Sequence, residues 1–234
     1  GKLFNAGQTC VAPDYVIIPE KLNNAFQKEI SETANSYYPN IAEDRQYSHI
    51  ISEKHYQRLQ DLLVDAKEKG ARIVELFPDF KQDSVNKLMT PKLVFDVTEE
   101  MELMQEEIFG PILPVVNLET IEEASNYVNN KSKPLALYYF DNNQKRIDWL
   151  LKHSISGGVT INGTIYHLAQ HNLPFGGVGA SGMGHYHGFD GFKTFSKKRA
   201  VMQQKNFAST DMLRPPFTGF KLKLIKIMGK LSKS

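Results

Sequence analysis

Asp14–Tyr38, DYVIIPEKLNNAFQKEISETANSYY, decides the fold class because its hydrophobic period changes part-way along. DYVIIPE reads as a buried strand, and KLNNAFQKEISETANSYY carries its apolar residues at helical spacing. The alternation continues downstream. SEKHYQRLQDLLVDAKEKG predicts a second helix stopped by Gly70, and ARIVELF returns to strand. KLVFDV, GPILPVVNL, LALYYFD and GGVTING predict four more strands, with helices TIEEASNYVNN and NQKRIDWLLKHS between the later ones. Strands alternating with helices specify an α/β protein built on a doubly wound, mainly parallel sheet with flanking helices. In such sheets ligands settle beyond the carboxyl ends of the strands, which directs attention to two glycine-bearing loops, EEIFGP and LPFGGVGASGMGHYHG.

At 234 residues, with 41% of them hydrophobic, the chain is long and apolar enough for a proper core. Its single cysteine, Cys10, excludes an internal disulfide and suits a reducing compartment, so a cytoplasmic location is expected. No apolar run approaches the roughly 18 residues needed to cross a bilayer, and the first residues do not have the pattern of a signal peptide. Net charge is +2, unevenly spread: residues 197–234 hold ten Lys or Arg against one acid, Asp211. The body is therefore mildly acidic and offers no electrostatic footprint for nucleic acid. The tail segment FKLKLIKIMGKLSKS winds into a helix with Phe220, Leu224, Ile227, Met228 and Leu231 on one face. Lys223, Lys226, Lys230 and Lys233 group opposite, a basic amphipathic pattern suited to docking on protein or to peripheral contact with an anionic membrane.

Cys10 lies in FNAGQTC, where small Ala6 and Gly7 allow close backbone approach and Asn5 and Gln8 can hold a loop by hydrogen bonds. A nucleophilic thiol needs that kind of access; a buried structural thiol is the competing reading. A second enzyme reading, a cysteine hydrolase in which one of seven histidines activates Cys10, has no local signature. His167, His171, His185 and His187 invite a zinc reading, but HLAQH lacks a metalloprotease glutamate and the context is loop-like, so no metal is expected. GGVGASGMG follows HNLPF, not a strand, and so departs from the dinucleotide fingerprint; a tight loop needing positive φ accounts for its glycines equally well.

Taken in order, FNAGQTCVAPDYV, QEEIFGPILPVV, KPLALYYF, SGGVTIN and LPFGGVGASGMGHYHGFDGFKTFSKKR resemble the catalytic half of NAD(P)-dependent aldehyde dehydrogenases, nearest the class 3, fatty and aromatic aldehyde branch. The resemblance implies a catalytic domain over residues 1–196, and an oligomerisation strand with a basic tail over 197–234. It implies that Cys10 attacks an aldehyde as nucleophile, passing through a thiohemiacetal and a thioester, with its own backbone N–H as one oxyanion donor. It assigns Glu107 to the nicotinamide-ribose hydroxyls, Phe109 to the nicotinamide, Phe175 to the aldehyde channel and Asn5 to loop structure. NAD or NADP is the implied cofactor, a small aldehyde the partner, and a homodimer the assembly, paired through KTFSKKRAVMQQ as an edge strand. The family's cofactor-binding domain, oxyanion asparagine and general-base glutamate lie upstream of the cysteine. The resemblance thus implies that these 234 residues are an excised catalytic domain, inactive alone. A non-catalytic binding or assembly domain with a structural Cys10 is the remaining alternative.

Overall fold

The computed structural model describes residues 1–80, 87–204, 206 and 214–231. They fall into two compact units, residues 1–195 and 196–234.

The first unit has the expected α/β architecture. Its larger sheet orders the strands β1-β4-β3-β2, where β1 is Val16–Ile18, β2 Arg72–Glu75, β3 Lys92–Phe95 and β4 Ile112–Asn117. β4 runs parallel to both β1 and β3, with Val16 opposite Val115 and Leu93 opposite Leu113, while β2 closes the edge antiparallel to β3. β5 (Ala136–Tyr139) and β6 (Gly158–Ile161) form a separate parallel pair in which Tyr138 faces Thr160. All six predicted strands exist, each shorter than its apolar run.

The helices follow from local chemistry. α1 (Asn23–Tyr37) is preceded by a 3-10 turn at Glu20–Leu22, so its start falls two residues later than the hydrophobic pattern suggests. The Ser52 hydroxyl caps α2 (Glu53–Glu68) by accepting from the His55 N–H, and Gly70, at φ +95°, lets the chain turn away after it. α3 (Glu102–Gln105), a single turn absent from the sequence reading, precedes β4. Thr120 and Glu123 form a reciprocal capping box on α4 (Ile121–Asn130), and Asn143 caps α5 (Gln144–His153).

The core lies between the four-stranded sheet and α2. Leu93, Val94 and Phe95 of β3, Ile112 and Val115 of β4, and Leu59, Leu62 and Ala66 of α2 are all buried in one cluster. Each such Leu, Ile, Val or Phe side chain contributes about 1.5–3 kcal/mol from leaving water. Lys92 is the exception within β3, 2% exposed, and its ammonium is satisfied by the Glu75 carboxylate at 2.7 Å and by the Thr90 hydroxyl at 3.2 Å.

The expected edge strand KTFSKKRAVMQQ is corrected at its start. Lys193 and Thr194 close the short helix α6 (Gly188–Thr194), where Lys193 sits one turn from Asp190 and pairs with it at 2.5 Å. Residues 197–204 form no strand among the described residues. In the second unit, α7 (Gly219–Leu231) forms as its pattern suggests and runs through Gly229. Leu222 and Ile225 are exposed there too, so its apolar surface is broader than the single expected stripe. Residues 232–234, Lys233 among them, lie outside the described residues. Among the described residues no helix is long and apolar enough to cross a membrane.

Candidate active site

The segment leading to Cys10 is wound in the left-handed sense: Asn5, Ala6 and Gly7 have φ of 50°, 51° and 76°. Glycine adopts this region freely and asparagine tolerates it, but for a buried alanine it costs about 1–2 kcal/mol, strain that only surrounding contacts can hold. Those contacts are specific. The Asn5 amide donates to the Gln8 carbonyl at 3.0 Å. The Gln8 amide donates to the His49 carbonyl at 3.0 Å, and its oxygen accepts from the Ile51 N–H at 3.0 Å, tying the segment to the chain just before α2.

Cys10 and Val11 are then the two central residues of a turn closed by the Ala12 N–H donating to the Thr9 carbonyl at 2.9 Å. Val11 points inward, 1% exposed, and the Cys10 thiol is exposed. The access expected of a reactive thiol is present, and the buried-thiol reading does not hold.

Glu107 and Phe109 stand on the loop between α3 and β4, and this loop packs directly on the cysteine segment. A Cβ placed on Gly7 would lie 2.2 Å from the Gly110 carbonyl oxygen, so the two backbones are in contact. Gly110 is in turn pressed on Leu59 of α2. Asp14, just beyond the cysteine turn, accepts from the Ile108 N–H at 3.0 Å. On the other side of the loop, Arg58 donates to the Ile108 carbonyl at 2.9 Å and the Glu107 carbonyl at 2.7 Å, and His55 donates to the Phe109 carbonyl at 2.8 Å. Phe109 is held at φ 55° with its ring partly open to solvent. Glu107 is exposed, as Glu106 is, but Glu106 is spent on an ion pair with Arg58 at 2.8 Å.

Charge at this junction is unusual. Burial pulls the Lys2 ammonium down to about 8, with Asp14 and then Glu107 acting in the opposite sense. The Glu107 carboxyl is pushed above its usual range by desolvation and then by Asp14, with Lys2 and Arg58 opposing. Sequence reasoning missed Lys2, Asp14 and Arg58, since nothing in their spacing brings them together. A lysine whose folded value lies below the ordinary 10.5 binds its proton more tightly in the unfolded chain, so above about pH 8 its deprotonation favours the folded state. Urea midpoints should therefore rise more from about pH 8 to about pH 9.5 in the unsubstituted protein than in Lys2→Met. Equal slopes would clear Lys2 as the cause.

These loops enter the amino ends of β1 and β4, so Cys10 and Glu107 themselves do not stand beyond the carboxyl ends of those strands. The carboxyl-end rule depends on strand-to-helix turns, whereas here the position of Cys10 is set by one loop packing on another. A second approach comes from β5, whose Tyr138 hydroxyl donates to the Val11 carbonyl at 2.6 Å.

Phe175 is 8% exposed, paired with Tyr186 in an isolated antiparallel bridge, and its ring centroid is 5.9 Å from that of His167. His167 is buried, shares a 3.0 Å hydrogen bond between its Nδ1 and the Thr160 hydroxyl, and is pushed down in pKa by burial. His171 and His187 meet edge to face at 5.6 Å. Among the described residues no three His, Cys, Asp or Glu side chains gather as metal ligands do. In the GGVGASGMG loop Gly179, Gly182 and Gly184 all have positive φ, as the tight-loop reading requires.

Residues 1–201 match the aldehyde dehydrogenase family. A probable coniferyl aldehyde dehydrogenase of Caulobacter vibrioides is 46% identical over 222 residues, taking in 93% of this chain and 46% of that protein. Aldehyde dehydrogenase family 3 member A2 of Mus musculus is 43% identical over 218 residues, with 92% and 43% covered. Among solved structures, a substrate-bound state of Staphylococcus aureus AldH superposes with a TM-score of 0.81 at 38% identity, covering 97% of this chain and 48% of that one. The chain thus spans about half the length of the curated relatives it matches. With a family match over most of its length, and its cysteine loop, glutamate loop and α/β fold assembled as described, the chain belongs to the aldehyde dehydrogenase family.

Proposed function

We propose that this chain supplies the catalytic half of an NAD- or NADP-dependent dehydrogenase that oxidises fatty or aromatic aldehydes to carboxylic acids. The observation that carries the reading is the exposed Cys10 thiol at the corner of a braced turn, with the Glu107 loop in backbone contact beside it. In this reading the Cys10 sulfur bonds to the aldehyde carbon and the carbonyl oxygen becomes an oxyanion. The Cys10 backbone N–H is the proposed donor to that oxygen, held in a turn that the Ala12 N–H closes. Loss of hydride leaves an acyl group on Cys10 as a thioester; water then releases the acid and regenerates the thiol.

A dinucleotide fits the residues present: Glu107 is exposed, its carboxylate has two acceptor oxygens suited to a ribose diol, and exposed Phe109 stands two residues away. When bound, NAD or NADP supplies the hydride acceptor. Phe175 is assigned to the aldehyde channel, and Asn5 to loop structure. The name of the Caulobacter vibrioides relative favours an aromatic, coniferyl-type aldehyde. Incubating the full-length protein with NAD or NADP and medium-chain or aromatic aldehydes should give reduced cofactor, and an acyl adduct on Cys10 by mass spectrometry after acid quench. Reduced cofactor without any adduct on Cys10 would reject the mechanism.

The domain roles are part of the proposal: catalysis by 1–196, assembly by 197–234. Residues 197–204, which belong to no strand among the described residues, would add as an edge strand to a second copy, giving a cytoplasmic homodimer. Sedimentation should give a dimer at micromolar concentration, and an obligate monomer would exclude the pairing. The tail helix α7, apolar beyond a single stripe, is better suited to docking on protein than to lying on a membrane. Recovery of the protein with anionic vesicles but not neutral ones would reverse that preference.

A further inference from the structure

We propose that the Tyr138 hydroxyl is a positioning group for the Cys10 nucleophile, acting through the peptide bond that follows Val11. The inference deepens the proposed function and rests on the reading of Cys10 as the attacking group.

The Val11–Ala12 peptide is a rigid plane, and it is held at both ends. Its N–H closes the turn by donating to the Thr9 carbonyl at 2.9 Å. Its C=O accepts from the Tyr138 hydroxyl at 2.6 Å, across 127 residues of chain. Cys10 sits between these fixed points, one residue after Thr9 and one before Val11, so the plane fixes the direction in which its Cα presents the thiol. The turn bond alone leaves the turn free to tilt as a unit. Tyr138 anchors it to a different sheet.

That anchor is itself well supported. Tyr138 faces Thr160 in the β5–β6 register, and the Thr160 hydroxyl holds His167. The His167 ring lies 5.9 Å from Tyr138 and 5.9 Å from Phe175, and it presses so closely on Gly158 that a Cβ there would stand 2.7 Å from its Cδ2. The Ile165 backbone amide stands beside the same phenol oxygen. Burial raises the Tyr138 pKa above the usual tyrosine range, opposed by Ile165 and reinforced by a Cys10 thiolate. Burial thus favours the protonated hydroxyl, the form that donates to the Val11 carbonyl.

The test compares a position-demanding reaction of Cys10 with an undemanding one in the purified protein. Tyr138→Phe should lower single-turnover acylation by nitrophenyl acetate about ten- to a hundredfold, because attack on a carbonyl requires an aligned approach and oxyanion contact. Alkylation by iodoacetamide, measured across pH, should stay within about twofold and keep its apparent thiol pKa, since exposure and charge are unchanged. Tyr139→Phe, which removes the neighbouring hydroxyl from Asp141, should leave both reactions unchanged. 4-Aminophenylalanine at position 138 restores a donor at similar reach and should recover acylation. Unchanged acylation in Tyr138→Phe overturns the proposal. So does a parallel fall in both reactions that 4-aminophenylalanine does not recover, the sign of general loosening. If the unsubstituted protein forms no acyl adduct on Cys10, the nucleophile reading fails, and the positioning role fails with it.

Discussion

If Cys10 is the nucleophile proposed above, Cys10→Ala should abolish the acyl adduct and lower aldehyde oxidation by the full-length protein at least about a thousandfold, because the covalent step would have no attacking group. Cys10 is the only cysteine in the chain, so the variant also clears the background of every thiol-directed assay on it. Folding should be nearly unaffected, since the side chain is exposed and only Val11 beside it is buried. Rapid-quench mass spectrometry with an aldehyde and oxidised cofactor gives the adduct, and thermal melting gives the fold. Retention of substantial turnover by Cys10→Ala would remove the thiol from the chemistry.

Gly7→Ala has the second largest expected effect, and it acts on stability and chemistry together. The new Cβ would stand 2.2 Å from the Gly110 carbonyl oxygen, a backbone atom that cannot rotate away, at a residue whose φ is +76°. Steric displacement and left-handed strain together cost about 2–4 kcal/mol of folding free energy. Because Gly7 sits between the Gln8 clamp and the Glu107 loop, relief of the clash moves the cysteine turn away from that loop. A shift of about 1 Å in such a site lowers acylation on the order of a hundredfold. Urea unfolding and ester acylation measure the two parts separately. A Gly7→Ala protein with unchanged stability and acylation would show that the two loops do not constrain each other.

Much of the α/β reading was legible because it depends on local patterns. The change of period within Asp14–Tyr38 and the stop at Gly70 each act within a few residues, so the sequence carries their full cause. The packing of the cysteine loop on the Glu107 loop at the amino ends of β1 and β4 was not legible. It depends on a close approach between Gly7 and Gly110, separated by about a hundred residues of chain that includes both α1 and α2, and either glycine alone could equally serve an ordinary turn. The short helices α3 and α6 were missed for a related reason. Segments of four and seven residues are too short for a hydrophobic period to emerge.

The candidate site divides in the same way. Cys10 as the sole thiol, and the motif resemblance that assigns Glu107, Phe109 and Phe175, were available from the sequence alone, because residue type and order are enough to state them. Tertiary structure decided that Cys10 is exposed at a turn corner, that Lys2, Asp14 and Glu107 interact electrostatically, and that Tyr138 reaches Val11. The physical reason is range. Strand and helix preferences are set by neighbours a few positions apart, whereas charge coupling, desolvation and a side-chain hydrogen bond fall off within a few ångströms of space, whatever the separation along the chain.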